Sequence, residues 1–308
     1  MGLGALGVGF VAQGLMPRPS SLSGPMLEAM LEAPPAHAST RATPREDLRG
    51  VAAERSSHPV GTLGLSEPAR GTPLNLEIRV ALLNQGGSPQ LGSTGSWWLR
   101  ARDGSVLRQG RGGEVFNLAA EAGLPGELWL ETSADAAVTV NGQAYGGRLR
   151  LVRQADGWQV VNHLPLEDYV ASVVGAEMPS SWDLEALKAQ AVAARSYALA
   201  HMARPASDHW HLGDNTRWQA YRGLSSSTAR TRQAAADTTG LILSYQGGIV
   251  ESLYAANSQI SWEAHGNLGA SMSQEGAQAL ASQGRRYNEI LGQYYRGASL
   301  ARLRQGAS

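Results

Sequence analysis

Apolar and polar residues begin to alternate at Leu74. Leu74, Leu76, Ile78 and Val80 fall on one face, with Asn75, Glu77 and Arg79 on the other. Period two is the mark of a half-buried strand. Ser96–Arg100, Val106–Leu107, Glu127–Leu130, Ala137–Val140, Arg148–Val152 and Gly157–Val161 continue the pattern, separated by turn signals at Asp103-Gly104 and Asn141-Gly142. Residues 73–162 are thus expected to form a small all-β module. At Pro165 the period changes. Leu166, Tyr169, Val170, Val173 and Val174 follow helical spacing, with Pro165 expected at the first helical position and Gly175 at the stop. A second helix is expected from a Ser180 cap to about His201, supported by Asp183 in its first turn. Leu241–Tyr245 and Gly248–Tyr254 read as a hairpin around Gln246-Gly247, and Ser273–Ser282 and Tyr287–Tyr295 as closing helices. The predicted class is α+β, with a mainly helical domain over 163–308 carrying hairpin strands after the β module.

Upstream, Leu3–Met16 is an apolar run too short to span a bilayer but of the right length for a signal-peptide core. No basic residue precedes it, and the Ala36-His37-Ala38 pattern lies well downstream. Residues 1–16 are read as a signal-like segment that targets the chain to the envelope or tethers it to a membrane. Residues 17–72, rich in Pro, Ser, Ala and Arg, are read as a disordered linker.

Composition narrows the function. The 308 residues carry 26 basic and 26 acidic side chains, so no basic field exists to hold a phosphate backbone, and nucleic acid is not expected as a partner. The absence of cysteine removes disulfides, thiolate metal sites and cysteine nucleophiles. Among the 26 basic residues only Lys188 is a lysine.

Glu177, in Gly175-Ala176-Glu177-Met178-Pro179, lies in the short connection expected between two helices. Apolar neighbours Val173, Val174, Met178 and Trp182 would favour its protonated form by desolvation, as a general acid requires. The competing reading is a solvated turn glutamate. Lys188 marks either a place for a compact ammonium or chance. Asp208-His209-Trp210-His211 invites a metal reading, but a solvated loop pair is the commoner outcome and no metal is assigned. Gln219-Ala220-Tyr221-Arg222-Gly223 offers amide and aromatic groups of the kind that hold sugars, and Ser273-Gln274 offers two more, with helix capping as the alternative there. No hydrolase elbow, P-loop or dinucleotide fingerprint is present.

Together, in this order, these residues resemble the SpoIID/LytB family of peptidoglycan-acting proteins. The resemblance covers roughly residues 160–300. It rests on Val161-Asn162 with Leu166-Glu167-Asp168-Tyr169-Val170, Glu177-Met178-Pro179, the helical block Glu185–Ala198, Gln219–Gly223, Thr239-Gly240, Met272–Ala277, and Tyr287–Leu291 with Tyr294–Gly297. The resemblance implies a lytic transglycosylase. Glu177 would serve as acid and base, cleaving the MurNAc-GlcNAc bond to leave 1,6-anhydro-MurNAc ends, in contrast to two-carboxylate glycosidases. Lys188, Arg195, Gln219, Tyr221, Ser273 and Gln274 would then bind substrate. The runner-up that it implies is a non-catalytic glycan-binding modifier of a peptidoglycan amidase. Peptidoglycan glycan strands and an amidase are the partners implied, and the cell envelope is the location. Some relatives place zinc on cysteines beside the Gln-x-Tyr motif; this chain has none, so no cofactor is expected. Relatives also carry a long insertion before the Ser-Gln motif that is much shortened here.

Overall fold

The computed structural model describes residues 31–32, 64–72, 74–118, 123–245, 248–255 and 271–303. The signal-like segment 1–16, most of the stretch 17–72 and the Gln246-Gly247 turn lie outside the described residues. The architecture is α+β, a β-rich N-terminal part followed by a mostly helical C-terminal part. Two compact units divide it, one built from residues 75–177 and 201–232, the other from 178–200 and 233–308 with the segment before Asn75. The boundary expected at 162/163 falls inside the first of these.

The first unit holds β1 (Glu77–Ala81), β2 (Gln90–Ser93), β3 (Trp97–Ala101), β4 (Val106–Gly110), β5 (Val115–Asn117), β6 (Glu127–Thr132), β7 (Val138–Val140), β8 (Gln143–Tyr145), β9 (Arg148–Gln154), β10 (Gly157–Pro165) and β11 (Leu212–Gly213). Seven of them form one sheet in the order β11-β1-β10-β9-β6-β3-β4, and β5-β2-β7-β8 form a second. Its strands are antiparallel except β11, which adds parallel to β1. Alternation explains which face is core. Ile78 and Val80, Leu128 and Leu130, Leu149 and Leu151, and Trp97 and Leu99 are all buried. The opposite face of β1, β10, β9 and β6 carries Glu77, His163, Arg148, Trp129 and Glu131. The Asn141-Gly142 turn has positive φ at both residues (49° and 81°), the conformation its hairpin needs.

From β10 the chain passes directly into α1 (Leu166–Glu177). Pro165 ends the strand instead of opening the helix. Gly175 does not stop the helix either. A Cβ there would sit 1.9 Å from the carbonyl oxygen of Ser226, so glycine serves close packing, not termination.

The second unit contains most of α2 (Leu184–Ala203), which runs on into the first. Asp183, not Ser180, starts α2, its Oδ1 accepting from the Glu185 backbone N–H at 2.9 Å. Next come α3 (Ala229–Asp237), which the sequence reading missed, β12 (Leu241–Tyr245), β13 (Gly248–Ile249), β14 (Leu253–Ala255), β15 (Ser271–Ser273), α4 (Gln274–Ser282), α5 (Tyr287–Tyr294) and β16 (Ser299–Leu303). Strand β12 lies between β16 and β13, while β14 and β15 pair in parallel. The alanine-rich face of α2 is buried throughout Ala189–Ala194. Ahead of β1, the backbone of Leu65 exchanges hydrogen bonds with Asn288 on α5.

Candidate functional site

Glu177 is the last residue of α1 and is half-buried. Its Oε1 accepts a hydrogen bond from the backbone N–H of Ala220 at 2.8 Å. The carboxylate is therefore fixed from outside its own helix. Two opposing influences act on it. The C-terminal end of a helix disfavours negative charge by about 0.3–1 kcal/mol. A donated N–H favours the ionised carboxylate, and hydrogen bonds to charged groups contribute about 1.5–3 kcal/mol.

The segment around Ala220 is anchored on both sides. Tyr169, on α1, donates its phenol proton to Gln219 Oε1 at 2.9 Å. Tyr221 donates to Asn162 Oδ1 at 2.6 Å, and Asn162 Nδ2 donates in turn to the carbonyls of Gly146 and Arg148. Burial holds the Tyr221 phenol protonated, well above its ordinary range, with nearby Tyr145, Asp168 and Asp214 adding to the effect. Farther on, Ser172 Oγ donates to the Gly223 carbonyl and Ser226 Oγ to the Ser172 carbonyl, both at 2.8 Å. Gly223 has φ +56° and sits with Ala144 and the Tyr145 ring at distances no side chain tolerates.

In the first unit, then, Glu177, Gln219 and Tyr221 meet. Gln219 is fully buried and Tyr221 only 3% exposed, and both face inward partners. The remaining expected residues belong to the second unit. Lys188 bridges Glu185 Oε1 at 2.9 Å and Asp237 Oδ2 at 3.1 Å. A compact ammonium suits this two-sided clamp, which gives the chain's one lysine a physical reason. Burial lowers its pKa, and the two carboxylates more than reverse that, leaving it raised. Arg195 is fully buried and donates to the carbonyls of Leu241 (3.0 Å) and Ala235 (3.1 Å). Ser273 caps α4 by accepting from Gly276 N–H at 3.0 Å, as the capping alternative expected. Gln274 is buried beside it, with Nε2 unpartnered among the described residues.

Sequence reasoning met Asn162 and Tyr169 only as motif residues and assigned neither to the Glu177 surroundings. It also missed a surface cleft of about 360 Å³ lined by Glu77, Glu131, Arg148 and His163 on the outer face of the large sheet. There His163 Nδ1 lies 2.8 Å from Glu77 Oε1, and the Arg148 guanidinium lies 4.5 Å above the Trp129 ring. Burial lowers the His163 pKa, with Glu77 acting against it. His211 is turned onto Arg79, not onto His209, and burial with the Arg79 charge brings its pKa down to about 4.

Residues 154–245 match the family model described as stage II sporulation protein, SpoIID. An uncharacterized protein of Brachyspira hyodysenteriae is 38% identical over 119 residues, 38% of this chain and 32% of that protein. The amidase enhancer of Bacillus subtilis is 38% identical over 85 residues, 28% of this chain and 11% of the enhancer. Stage II sporulation protein D of the same bacterium is 34% identical over 115 residues, 32% of this chain and 34% of that protein. The match thus covers about a third or less of each relative's length. Distant but consistent, these likenesses relate the part of the chain that carries Glu177, Gln219 and Tyr221 to the SpoIID/LytB family.

Proposed function

We propose that this protein binds peptidoglycan glycan strands in the cell envelope and modulates a peptidoglycan amidase, with Glu177 as the polar group at the binding site. The observation that carries the reading is the Ala220 N–H held 2.8 Å from the Glu177 carboxylate. A carboxylate oriented in this way is suited to accept from sugar hydroxyl and N-acetyl N–H groups. The likeness to a protein named amidase enhancer supports the same reading. The internal engagement of Gln219 and Tyr221 fits it too, since both side chains are taken up by inward partners. Among the described residues no helix is long and apolar enough to cross a membrane. The envelope location rests on the family and on the signal-like segment 1–16.

A second reading is favoured by the place of Glu177 at the C-terminal end of α1, which helps it hold a proton. In that reading Glu177 protonates the glycosidic oxygen between MurNAc and GlcNAc. The C1–O bond breaks, GlcNAc leaves as the alcohol carrying that proton, and the MurNAc 6-hydroxyl bonds to C1 while giving its own proton to Glu177, so that an anhydro end results. Mass spectrometry of peptide-stripped strands incubated with the protein separates the two. The modifier reading expects no anhydro ends, and stimulation of a purified amidase that survives Glu177→Gln at least in part. Anhydro ends that disappear in Glu177→Gln would establish the transglycosylase instead.

A further inference from the structure

We infer that Asn162 and Tyr169 are positioning residues, which hold the 219–221 segment so that the Ala220 N–H meets the Glu177 carboxylate. The inference rests on Glu177 being the working group of the site and adds what controls its charge. Ala220 has no side chain able to anchor it, so its backbone direction is set by Gln219 and Tyr221. Each of these side chains makes a buried hydrogen bond to a regular element, Gln219 with Tyr169 on α1 and Tyr221 with Asn162 on β10, and the Tyr221 backbone N–H also donates to the Asp214 carbonyl at 3.1 Å. The Asn162 amide has no freedom to turn. Both protons of its Nδ2 are committed to the Gly146 and Arg148 carbonyls, so Oδ1 must face Tyr221. Tyr169 lies eight residues before Glu177 on the same helix, so α1 carries both the carboxylate and one anchor of the segment that meets it. Ring contacts of Tyr221 with Tyr169 (5.2 Å between centroids) and Tyr145 (5.9 Å) close the arrangement. A purely structural lace would need to end on no particular group. This one converges from two elements on the residue bonded to Glu177.

The test uses the full chain labelled with 13C at glutamate carboxyls, the Glu177 signal being assigned by its loss in Glu177→Gln. Tyr169→Phe and Tyr221→Phe each remove one oxygen. The Glu177 titration midpoint is expected to rise in each by about 0.5–1 pH unit, a roughly three- to tenfold tighter hold on the proton. Ser225→Ala, an exposed change in the same segment, should leave it in place. An unmoved midpoint in folded phenylalanine variants overturns the inference. Should those variants fail to fold, the wild-type protein decides: the Ala220 amide resonance must shift with the Glu177 titration, and an amide that ignores it overturns the inference. The readout needs no activity. A wild-type protein that binds no glycan would remove the proposed function and leave this result standing.

Discussion

Asn162 and His163 are neighbours on one strand, yet they belong to opposite kinds of polar network. Asn162 faces inward, fully buried, where every hydrogen bond it makes replaces water that cannot return. His163 faces the other side of the sheet, beside a charge ladder running from Glu77 through Arg148 to Glu131 and Arg100. The ladder carries more formal charge, but about a third to a half of each of its charged side chains is in solvent. Screened pairs of that kind contribute about 0–1 kcal/mol. Buried groups left without partners cost about 1–3 kcal/mol each. Neutral hydrogen bonds within the interior should therefore outweigh the visible ion pairs, and the segment that meets Glu177 hangs on the stronger network.

The sharpest way to break the interior network is Gly175→Ala. The new methyl would collide with the Ser226 carbonyl on backbone that Ser172 also holds, and a loss of about 3–5 kcal/mol is expected by urea unfolding. A near-neutral result would mean that α1 and the 223–226 segment separate easily. Next comes Asn162→Ala, which strands the Tyr221 hydroxyl and two carbonyls and should cost about 3 kcal/mol in the same measurement. On the outer side, Glu131→Gln should change stability by about 0.5 kcal/mol or less, with even that effect fading in salt.

Acidification sharpens the contrast, and its effect falls between the last two. His211 is neutral in the fold down to about pH 4 because burial, then the Arg79 charge, disfavour its protonation. The unfolded chain takes that proton near 6.5, so the contribution is intact above that pH and drains as pH falls toward 4. About 1–3 kcal/mol is at stake, and His211→Asn should flatten the urea midpoint across that window. Below it, Glu77 adds a further loss. Burial raises its pKa, but His163 and Arg148 outweigh burial and leave it lowered, so its protonation costs stability as pH drops through the acid range.

Much of the scaffold was legible because periodicity is a local signal. Trp97–Ala101, Glu127–Thr132 and Arg148–Gln154 alternate as they should, and both hairpin glycines have positive φ. Gly175 was misread for a physical reason, since sequence cannot tell a glycine that ends a helix from one that lets a distant carbonyl approach. The helix α3, with its mean character set by Arg and Ala in Ala229–Asp237, shows little apolar periodicity to find. Glu177, Tyr221 and Asn162 all fell in motifs, whereas the bond between Asn162 and Tyr221 joins residues 59 apart and left no local trace. Lys188 was visible as an oddity of composition; what it bridges, Glu185 and Asp237, became visible only in the fold.

The central claim is that, in the proposed function, Glu177 holds glycan strands as a hydrogen-bond acceptor. Its most direct test is the affinity of the full chain for peptide-stripped strands by calorimetry at neutral pH, with and without Glu177→Gln. The account predicts measurable binding by the wild-type protein, weakened about tenfold or more in Glu177→Gln because one carboxylate acceptor is lost. Equal affinity of the two folded proteins, or no binding by either, would contradict it.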